Sequence, residues 1–168
     1  MLIILGGLPG TGKTSVARQL ALRLGAVHIR IDTIEQAIRD TGAAARQSMA
    51  DSGYRVGYGV SGDNLAIGRM VIADSVNPIE LTRAAWRAVA ERAGVRGIEV
   101  EIVCSDADEH RRRIETRRPD VPGLRLPTWD DVLARRYEPW ESADLVIDTA
   151  GRGLDEAVAQ LVSRLPAD

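Results

Sequence analysis

Residues 6–15, GGLPGTGKTS, bring glycine, lysine and hydroxyl side chains together at a spacing that suits phosphate binding. Four residues separate Gly7 from Gly12, which is followed directly by Lys13 and Thr14. This G-x-x-x-x-G-K-T pattern lies between an apolar strand and an amphipathic helix. Backbone N–H groups and the positive end of the helix can then surround phosphate oxygens. Lys13 is the only lysine among 22 basic residues, and a compact ammonium can reach the β- and γ-phosphates where a guanidinium is too broad. We therefore predict that ATP or GTP binds to six consecutive residues: Gly10, Thr11, Gly12, Lys13, Thr14 and Ser15.

Two carboxylates end apolar strands, at the sheet edge where the bound nucleotide would lie. Asp74 ends the run MVIAD and can hold Mg²⁺ through water, while the hydroxyl of Thr14 supplies a second oxygen; an ordinary aspartate at a strand end is the alternative. Asp32 ends the run VHIRID, where it could deprotonate a hydroxyl that attacks the γ-phosphate. Its alternative role is the N-cap of a helix that begins at Thr33. The pattern therefore predicts Mg²⁺ as a cofactor, with Thr14 and Asp74 as its ligands.

Strands and helices alternate along the chain at a spacing typical of α/β proteins. Apolar runs predict five strands, at residues 2–7, 27–32, 70–76, 98–105 and 144–149. Amphipathic periodicity and terminal glycines predict the helices, at residues 15–25, 33–42, 54–69, 78–93, 106–118, 128–140 and 153–165. Asn77 is the expected N-cap of the fourth helix, with Pro78 at its first position. These elements predict a parallel sheet covered by helices on both faces.

The composition excludes several classes of protein. The chain has 168 residues, of which 45% are hydrophobic, and a net charge of −2, so it is expected to fold as one domain and not to coat nucleic acid or an anionic membrane. No apolar stretch reaches the length of a membrane span and no leader segment is evident, which predicts a cytoplasmic protein. Cys104 is the only cysteine, so the chain can form no internal disulfide.

The order of the motifs resembles a family of small P-loop kinases. The segments GLPGTGKTS, IDTIE, VIADSVNP and RAAWRAVAERAG, followed by an arginine-rich helix and a loop, are similar to polynucleotide 5'-hydroxyl kinase and chloramphenicol phosphotransferase. Zeta-toxin kinases and adenylylsulfate kinases are similar more distantly. The resemblance implies an α/β P-loop NTPase fold, a three-layer α/β/α sandwich whose five-stranded parallel sheet has the order 2-3-1-4-5. It also implies a single kinase domain over residues 1–168, a small arginine-bearing lid at about 111–127, and Asp32 as the general base.

In that family, arginines of the lid bridge the β- and γ-phosphates. The stretch RRRIETRRPDVPGLRLP has this character, and Arg113 and Arg117 are four residues apart, so both can project from one helical face. We predict that these two close over the phosphates, with Arg118 and Arg125 as further candidates. A solvated helix whose arginines pair with neighbouring acids is the alternative. The resemblance also places a loop beside the nucleotide base after the last strand, where Arg152 could contact it.

The acceptor is predicted from one departure from the family. Polynucleotide kinases that resemble this chain carry an arginine three residues past the catalytic aspartate, and this chain has Glu35 there. Because a carboxylate repels phosphodiesters, a neutral or cationic small molecule with a hydroxyl group is favoured over nucleic acid. Aromatic residues in the least regular segments could form stacking walls or simply pack in the core. The predicted substrate residues are Asp32, Glu35, Tyr54, Tyr58, Asn77 and Trp129.

The predicted function is therefore that of a Mg²⁺-dependent phosphotransferase that moves a γ-phosphate to a small-molecule hydroxyl. An antibiotic or a nucleoside-like metabolite is the favoured acceptor. A polynucleotide 5'-hydroxyl kinase is the enzymatic alternative, and a nucleotide-dependent switch or assembly ATPase is the alternative of another class. No membrane partner is expected, and the protein is predicted to be a monomer or a homodimer.

Overall fold

Strands and helices alternate through the molecule. The computed structural model describes residues 1–42 and 52–166. The strands are β1 (Leu2–Gly6), β2 (Val27–Arg30), β3 (Val71–Asp74), β4 (Gly97–Val103) and β5 (Leu145–Asp148). The helices are α1 (Lys13–Leu24), α2 (Ile31–Asp40), α3 (Ser52–Ala66), α4 (Glu80–Arg92), α5 (Ala107–Thr116), α6 (Trp129–Leu133) and α7 (Leu154–Arg164).

The five strands form one parallel sheet in the order β2-β3-β1-β4-β5. This confirms the predicted fold class and strand order. Every residue of the central strand β1 is buried, because helices cover both faces of the sheet, and the run LIIL is therefore apolar at each position rather than alternating. Parallel strands direct their carboxyl ends to one edge, and there the loops after β1, β2 and β3 meet.

Two apolar layers flank the sheet. On one face, Ile3 and Leu5 pack against Val16 and Leu20 of α1 and against the buried side of α7. On the other face, Leu2 and Ile4 lie in a cluster with Trp86 of α4 and Leu65 of α3. The result is the predicted α/β/α sandwich. In the described part of the chain, no helix is both long enough and apolar enough to cross a bilayer.

Helix α3 contains glycines that should weaken it, and the structure gives their role. Gly53 and Gly57 are buried on the face that turns toward α2 and the sheet. A Cβ atom at Gly57 would lie 2.5 Å from Cδ1 of Ile31, and one at Gly53 would lie 2.4 Å from Cγ of Glu35. Close packing against α2 therefore compensates for low helix propensity. The predicted helix at 54–69 is confirmed, with bounds shifted toward the N-terminus.

The segment after β2 differs from the prediction. Helix α2 begins at Ile31, directly after the strand, and Arg30 occupies its N-cap position. Asp32 therefore lies in the first turn of α2 and is neither the last residue of a strand nor an N-cap. The apolar pattern VHIRID continues through this junction, so no local signal marks the end of the strand at Arg30.

The predicted N-cap role of Asn77 is wrong. Helix α4 begins at Glu80, with Ile79 as its N-cap, whereas Asn77 has a φ of 47° and no exposed surface. Its side-chain Nδ2 donates a hydrogen bond to the carbonyl oxygen of Leu5 at 2.8 Å. Asn77 thus ties the loop after β3 to the end of β1, a long-range contact that no local pattern predicts.

The helix predicted over residues 128–140 is much shorter, because α6 ends at Leu133. Thr128 begins it with a capping box shared with Asp131. The residues that follow are fixed by a buried arginine, since Arg83 donates hydrogen bonds to the carbonyl oxygens of Glu138 and Pro139 at 2.7 and 2.8 Å. These bonds hold an extended segment against α4 in place of further helical turns.

Candidate functional site

The glycine-rich loop joins β1 to α1 and needs glycine for two reasons. Gly7 has a φ of +132°, and a Cβ atom there would lie 2.1 Å from the carbonyl oxygen of Ile102. Gly12 has a φ of +93° and is the N-cap of α1. Few other residues tolerate such backbone angles. The end of the loop and the start of α1 line the cleft at this sheet edge, and a helix N-terminus that follows a glycine-rich loop is a typical phosphate-binding element.

Lys13 lies in the first turn of α1 and is almost completely buried. Its Nζ donates a hydrogen bond to the carbonyl oxygen of Leu8 at 2.8 Å, so the side chain crosses its own loop. Burial lowers the pKa of Lys13 to about 8, although the negative charges of Asp74 and Asp32 oppose the shift. The ammonium is thus a desolvated charge close to both carboxylates.

Thr14 and Asp74 line the same cleft, as the metal prediction requires. Asp74 is buried at the end of β3, and its Oδ2 lies 3.1 Å from Nε2 of His28 on the neighbouring strand. A hydroxyl and a carboxylate are the hard oxygen donors that Mg²⁺ prefers. In residues 1–42 and 52–166 no three histidine, cysteine, aspartate or glutamate side chains form a metal cluster. The donor set therefore fits an ion that takes most of its ligands from water and phosphate.

Asp32 lines this cleft from the first turn of α2. Its side chain is 44% exposed, and its Oδ2 lies 3.6 Å from an Nη2 of Arg30. Asp32 is thus a half-exposed carboxylate in the cleft, within reach of a ligand that enters it. The structure thus brings together Asp32, Lys13, Thr14 and Asp74, which come from three separate stretches of sequence.

Helix α5 packs on the glycine-rich loop. Nε2 of His110 donates to the carbonyl oxygen of Pro9 at 2.7 Å, and a Cβ atom at Gly10 would lie 2.6 Å from Cδ1 of Ile114. Arg113 donates to the hydroxyl oxygen and carbonyl oxygen of Thr149 at 2.7 and 2.8 Å. Arg113 therefore lines the cleft as expected, but it is also held in place by the end of β5.

Thr149 completes the contact between α5 and the loop. Its Oγ1 lies 2.9 Å from the carbonyl oxygen of Thr11, and Arg113 also forms an ion pair with Glu109 at 2.6 Å. Thr11 itself is buried, and its hydroxyl donates to the carbonyl oxygen of Leu8 at 3.0 Å. Thr11 thus acts within the loop through its backbone, and its side chain does not line the cleft.

Most residues of the segment after α5, residues 117–127, line the cleft, and this segment is called the lid segment below. The structure places the remaining predicted cations around the cleft: Arg117, Arg118, Arg125 and Arg152. Arg152 lies near Glu156, with 3.8 Å between its Nε and the Glu156 Oε1. Arg117 points toward Asp120 of the lid segment, with 4.0 Å between its Nη2 and the Asp120 Oδ1.

Three of the predicted substrate residues do not line the cleft. Tyr58 packs edge-on against Trp86, with ring centroids 4.6 Å apart, Trp129 packs against His110, and Asn77 is buried within the loop after β3. Most of the aromatic residues thus serve packing. Tyr54 does line the cleft, and its hydroxyl accepts a hydrogen bond from the backbone N–H of Asn77 at 3.2 Å.

Glu35 lines the cleft beside Asp32, but its charge is not free. Nη2 of Arg39 lies 3.1 Å from its Oε2. Burial raises the pKa of Glu35 above its ordinary value, although the charge of Arg39 opposes the shift. The repulsion that a lone carboxylate would exert on an anion is therefore weakened by its own ion pair.

The residues that line the cleft enclose a volume of about 1270 Å³ at the carboxyl edge of the sheet. A match to the AAA_33 family, described as an AAA domain, spans residues 2–139. The chain belongs to the AAA_33 family. This agrees with the P-loop kinase family expected from the motifs, whereas the narrower likeness to polynucleotide kinase and chloramphenicol phosphotransferase stays a prediction.

Known proteins related to this AAA_33 chain match it over nearly its whole length. A shikimate kinase from Rhodopseudomonas palustris is 29% identical over 95% of this chain and 80% of its own length. The APS kinase CysC of Mycobacterium tuberculosis, solved with AMPPNP and APS, has a TM-score of 0.68 at 22% identity, over 96% of this chain and 95% of its own. Kti12 from Chaetomium thermophilum, solved with ADP-AlF₃, has a TM-score of 0.65 at 20% identity, over 99% and 100%. The two structural likenesses establish the fold.

Sequence reasoning missed four residues of this AAA_33 site: His28, Arg30, Asp120 and Thr149. Each acts through a partner that is far away in the sequence, as His28 does with Asp74 and Asp120 does with Arg30. The one local signal was the position of Thr149 directly after the last strand, at the same sheet edge as the loop. The others carry no motif.

Proposed function

We propose that this protein is a nucleotide-dependent phosphotransferase that moves the γ-phosphate of ATP or GTP to a hydroxyl group of a small molecule. The observation that carries the proposal is that the glycine-rich loop, Asp74 and Asp32 line a single cleft. Membership of the AAA_33 family and the similarity to a shikimate kinase support it. An antibiotic or a nucleoside-like metabolite remains within the proposed class of acceptor.

The chain's own residues divide the work. The loop N–H groups and Lys13 hold the β- and γ-phosphates. Asp32 accepts the proton of the acceptor hydroxyl, whose oxygen forms a bond to the γ-phosphorus as the bond to the β-phosphate oxygen breaks. The nucleoside diphosphate leaves. Arg113 and Arg117 lie beside the developing charge.

Thr14 and the water shell of Asp74 would hold Mg²⁺. When bound, the ion would neutralise charge on the phosphates and so assist their displacement. His28 contacts one oxygen of the Asp74 carboxylate, with 3.1 Å between its Nε2 and Oδ2, and a contact of this kind would help to orient the carboxylate as a ligand.

The test is transfer of label from γ-labelled ATP and GTP in the presence of Mg²⁺. Three acceptor sets are offered in parallel: hydroxy acids and sugars, phenicol and nucleoside antibiotics, and 5'-hydroxyl oligonucleotides. Label on a small molecule, lost in Lys13→Ala, is the expected result. Label found only on oligonucleotides would favour the polynucleotide kinase alternative. Label released only as phosphate, and faster with a partner protein, would favour a switch or assembly ATPase.

A further inference from the structure

Three arginines converge on one carboxylate of the lid segment. Arg30 contacts both oxygens of Asp120, with Nη1 to Oδ2 at 2.8 Å and Nη2 to Oδ1 at 3.0 Å. Arg18 of α1 contacts Oδ2 at 2.5 Å, and Arg117 lies 4.0 Å from Oδ1. Two-point contact by a guanidinium is the geometry by which proteins bind carboxylate and phosphate groups. The cluster is therefore a formed oxyanion site, and Asp120 is its occupant.

The centre of this site is buried behind its occupant. The side chain of Arg30 is only 5% exposed, and its Nε has no hydrogen-bond partner among the described residues. Asp120 lines the cleft whereas Arg30 does not, so the carboxylate separates the guanidinium from the cleft. A buried arginine without a negative partner is unfavourable. If the lid segment moves aside to admit substrates, Arg30 loses its two contacts with Asp120 and keeps only the longer one to Asp32 at 3.6 Å, so that another anion could take the place of Asp120.

The position of Arg30 relates this site to the proposed chemistry. Its Nη2 contacts Asp120 on one side and lies 3.6 Å from Oδ2 of Asp32 on the other. An anionic group held by Arg30 would thus lie beside the proposed general base. A ligand that carries a hydroxyl group a few bonds from an oxyanion could occupy both positions at once.

The charge of the cleft favours such a ligand. Among the described residues, nine basic and four acidic side chains line it, although the whole chain has a net charge of −2. The phosphates of a nucleotide use the cations near the loop. Arg18 contacts Asp120 of the lid segment, and Arg39 neutralises Glu35. The expectation of a neutral or cationic acceptor, which rested on Glu35, therefore loses its physical basis.

We propose that Arg18 and Arg30 form a subsite for an oxyanion of the acceptor, a carboxylate, phosphate or sulfate group, and that Asp120 occupies this subsite until the acceptor binds. This inference rests on the proposed function, because it names the class of acceptor. Arg30 holds the pKa of Asp120 well below its ordinary value, with a smaller contribution from Arg18, so the occupant is charged at neutral pH and competes with any anion that enters. The enclosed position of Arg30 favours a small anion over a polynucleotide.

The test measures binding with the phosphate loop filled by saturating MgADP. Calorimetric titrations with glycerate, sulfate and the neutral amide glyceramide compare the wild type with Asp120→Asn. The variant removes the competing charge, so we expect it to bind glycerate and sulfate at least tenfold more tightly, with no change for glyceramide. A gain below twofold, or no measurable binding of either anion to the variant, overturns the proposal. If Asp120→Asn loses MgADP affinity and gains no anion affinity, the contact between Arg30 and Asp120 only holds the lid segment in place, which also overturns the proposal.

A second set of variants identifies the cations responsible. In the Asp120→Asn background, Arg30→Gln is expected to abolish the gain, and Arg18→Gln, which changes a half-exposed residue, to reduce it at least threefold. Arg23→Gln removes the same charge from the exposed end of α1 and is expected to change nothing. A gain that survives both Arg30→Gln and Arg18→Gln overturns the proposal. Should Arg30→Gln fail to fold, the pair Arg18→Gln and Arg23→Gln decides.

This inference and the proposed function can fail separately. Suppose that anions bind with the expected variant pattern but no acceptor receives a phosphoryl group. That result would contradict the proposed phosphotransferase function, while the subsite proposal would stand. If phosphoryl transfer is equally efficient with hydroxy acids and with their neutral amides, the subsite proposal is contradicted and the phosphotransferase function stands.

Discussion

The phosphate end of the cleft and its acceptor end are held together by different kinds of contact. At the phosphate end, the glycine-rich loop is fixed by hydrogen bonds to its backbone, such as those from His110 to Pro9 and from Lys13 to Leu8. At the acceptor end, Arg30 and Asp120 form a charged contact between residues that are 90 positions apart. Backbone contacts of the first kind keep one arrangement, whereas ion pairs of the second kind can exchange one anion for another. The comparison indicates a preformed phosphate site beside an acceptor site that changes partner.

Lys13→Met is expected to have the largest effect. It removes the charge that holds the β- and γ-phosphates, so phosphoryl transfer should fall by roughly 10³ or more. The acceptor end should not change, because none of its ion pairs includes Lys13. The first measurement is the rate of label transfer by Lys13→Met. The second compares anion binding to the Asp120→Asn variant with anion binding to the double variant that also carries Lys13→Met. A loss of transfer below tenfold would contradict the role of Lys13.

Gly57→Ala tests how closely α3 supports the acceptor end. A Cβ atom there would lie 2.5 Å from Cδ1 of Ile31, which is buried and precedes Asp32, so we expect a loss of about 1–3 kcal/mol in the free energy of unfolding. Gly59 lies in the same helix with no atom within 4 Å of the corresponding position. Gly59→Ala should therefore stabilise the protein by up to about 1 kcal/mol. Urea denaturation of both variants measures the difference, and equal effects would contradict the close packing.

His28→Leu tests the support of the proposed metal ligand. The change removes the hydrogen bond that orients Asp74, and loss of such a contact typically weakens metal binding about tenfold. Mg²⁺ should strengthen ADP binding, and the Mg²⁺ concentration that gives half of this effect should be about tenfold higher in His28→Leu than in the wild type. ADP binding without Mg²⁺ serves as the control and should not change. An unchanged Mg²⁺ requirement would show that Asp74 needs no partner.

The pH dependence of nucleotide affinity should be the smallest of these effects. Burial lowers the pKa of Lys13 to about 8 in the free protein, and bound phosphates favour the charged form. Binding therefore takes up a proton above pH 8. The affinity for ADP should be constant below pH 7 and fall up to tenfold per pH unit above pH 8. In Lys13→Arg the charge persists, so affinity should not fall between pH 8 and 9.

The same contrast explains how much of the molecule could be predicted from its sequence. The strand order was implied by the resemblance to P-loop kinases, whereas the phosphate site followed from Lys13, Thr14 and their neighbours, because that pattern is local and its geometry is carried by the backbone. Asp74 was found because an apolar strand ends there. Arg30 and Asp120 gave no signal, since a buried ion pair depends on two residues that only the fold brings together.

The incorrect predictions have the same cause. Asn77 was read as a helix cap because it precedes a proline, yet its side chain bonds to Leu5, which is 72 residues away. Tyr58 and Trp129 were expected in the cleft because their segments lacked clear periodicity, and both pack against other rings. The inference from Glu35 stays a prediction, but it left out Arg39, which is four residues away on the same helix and could have been recognised as its partner.

The most direct test of the account is Asp32→Asn, which changes the one residue at which the two ends of the cleft would meet. Phosphoryl transfer to the identified acceptor and the dissociation constant of MgADP are measured on the same preparation. We expect transfer to fall by roughly 10²–10⁴, while the MgADP dissociation constant changes by less than about threefold because Lys13 and the loop are untouched. Transfer at the rate of the wild type would contradict the assignment of Asp32 as the general base and, with it, the proposed arrangement of the acceptor end.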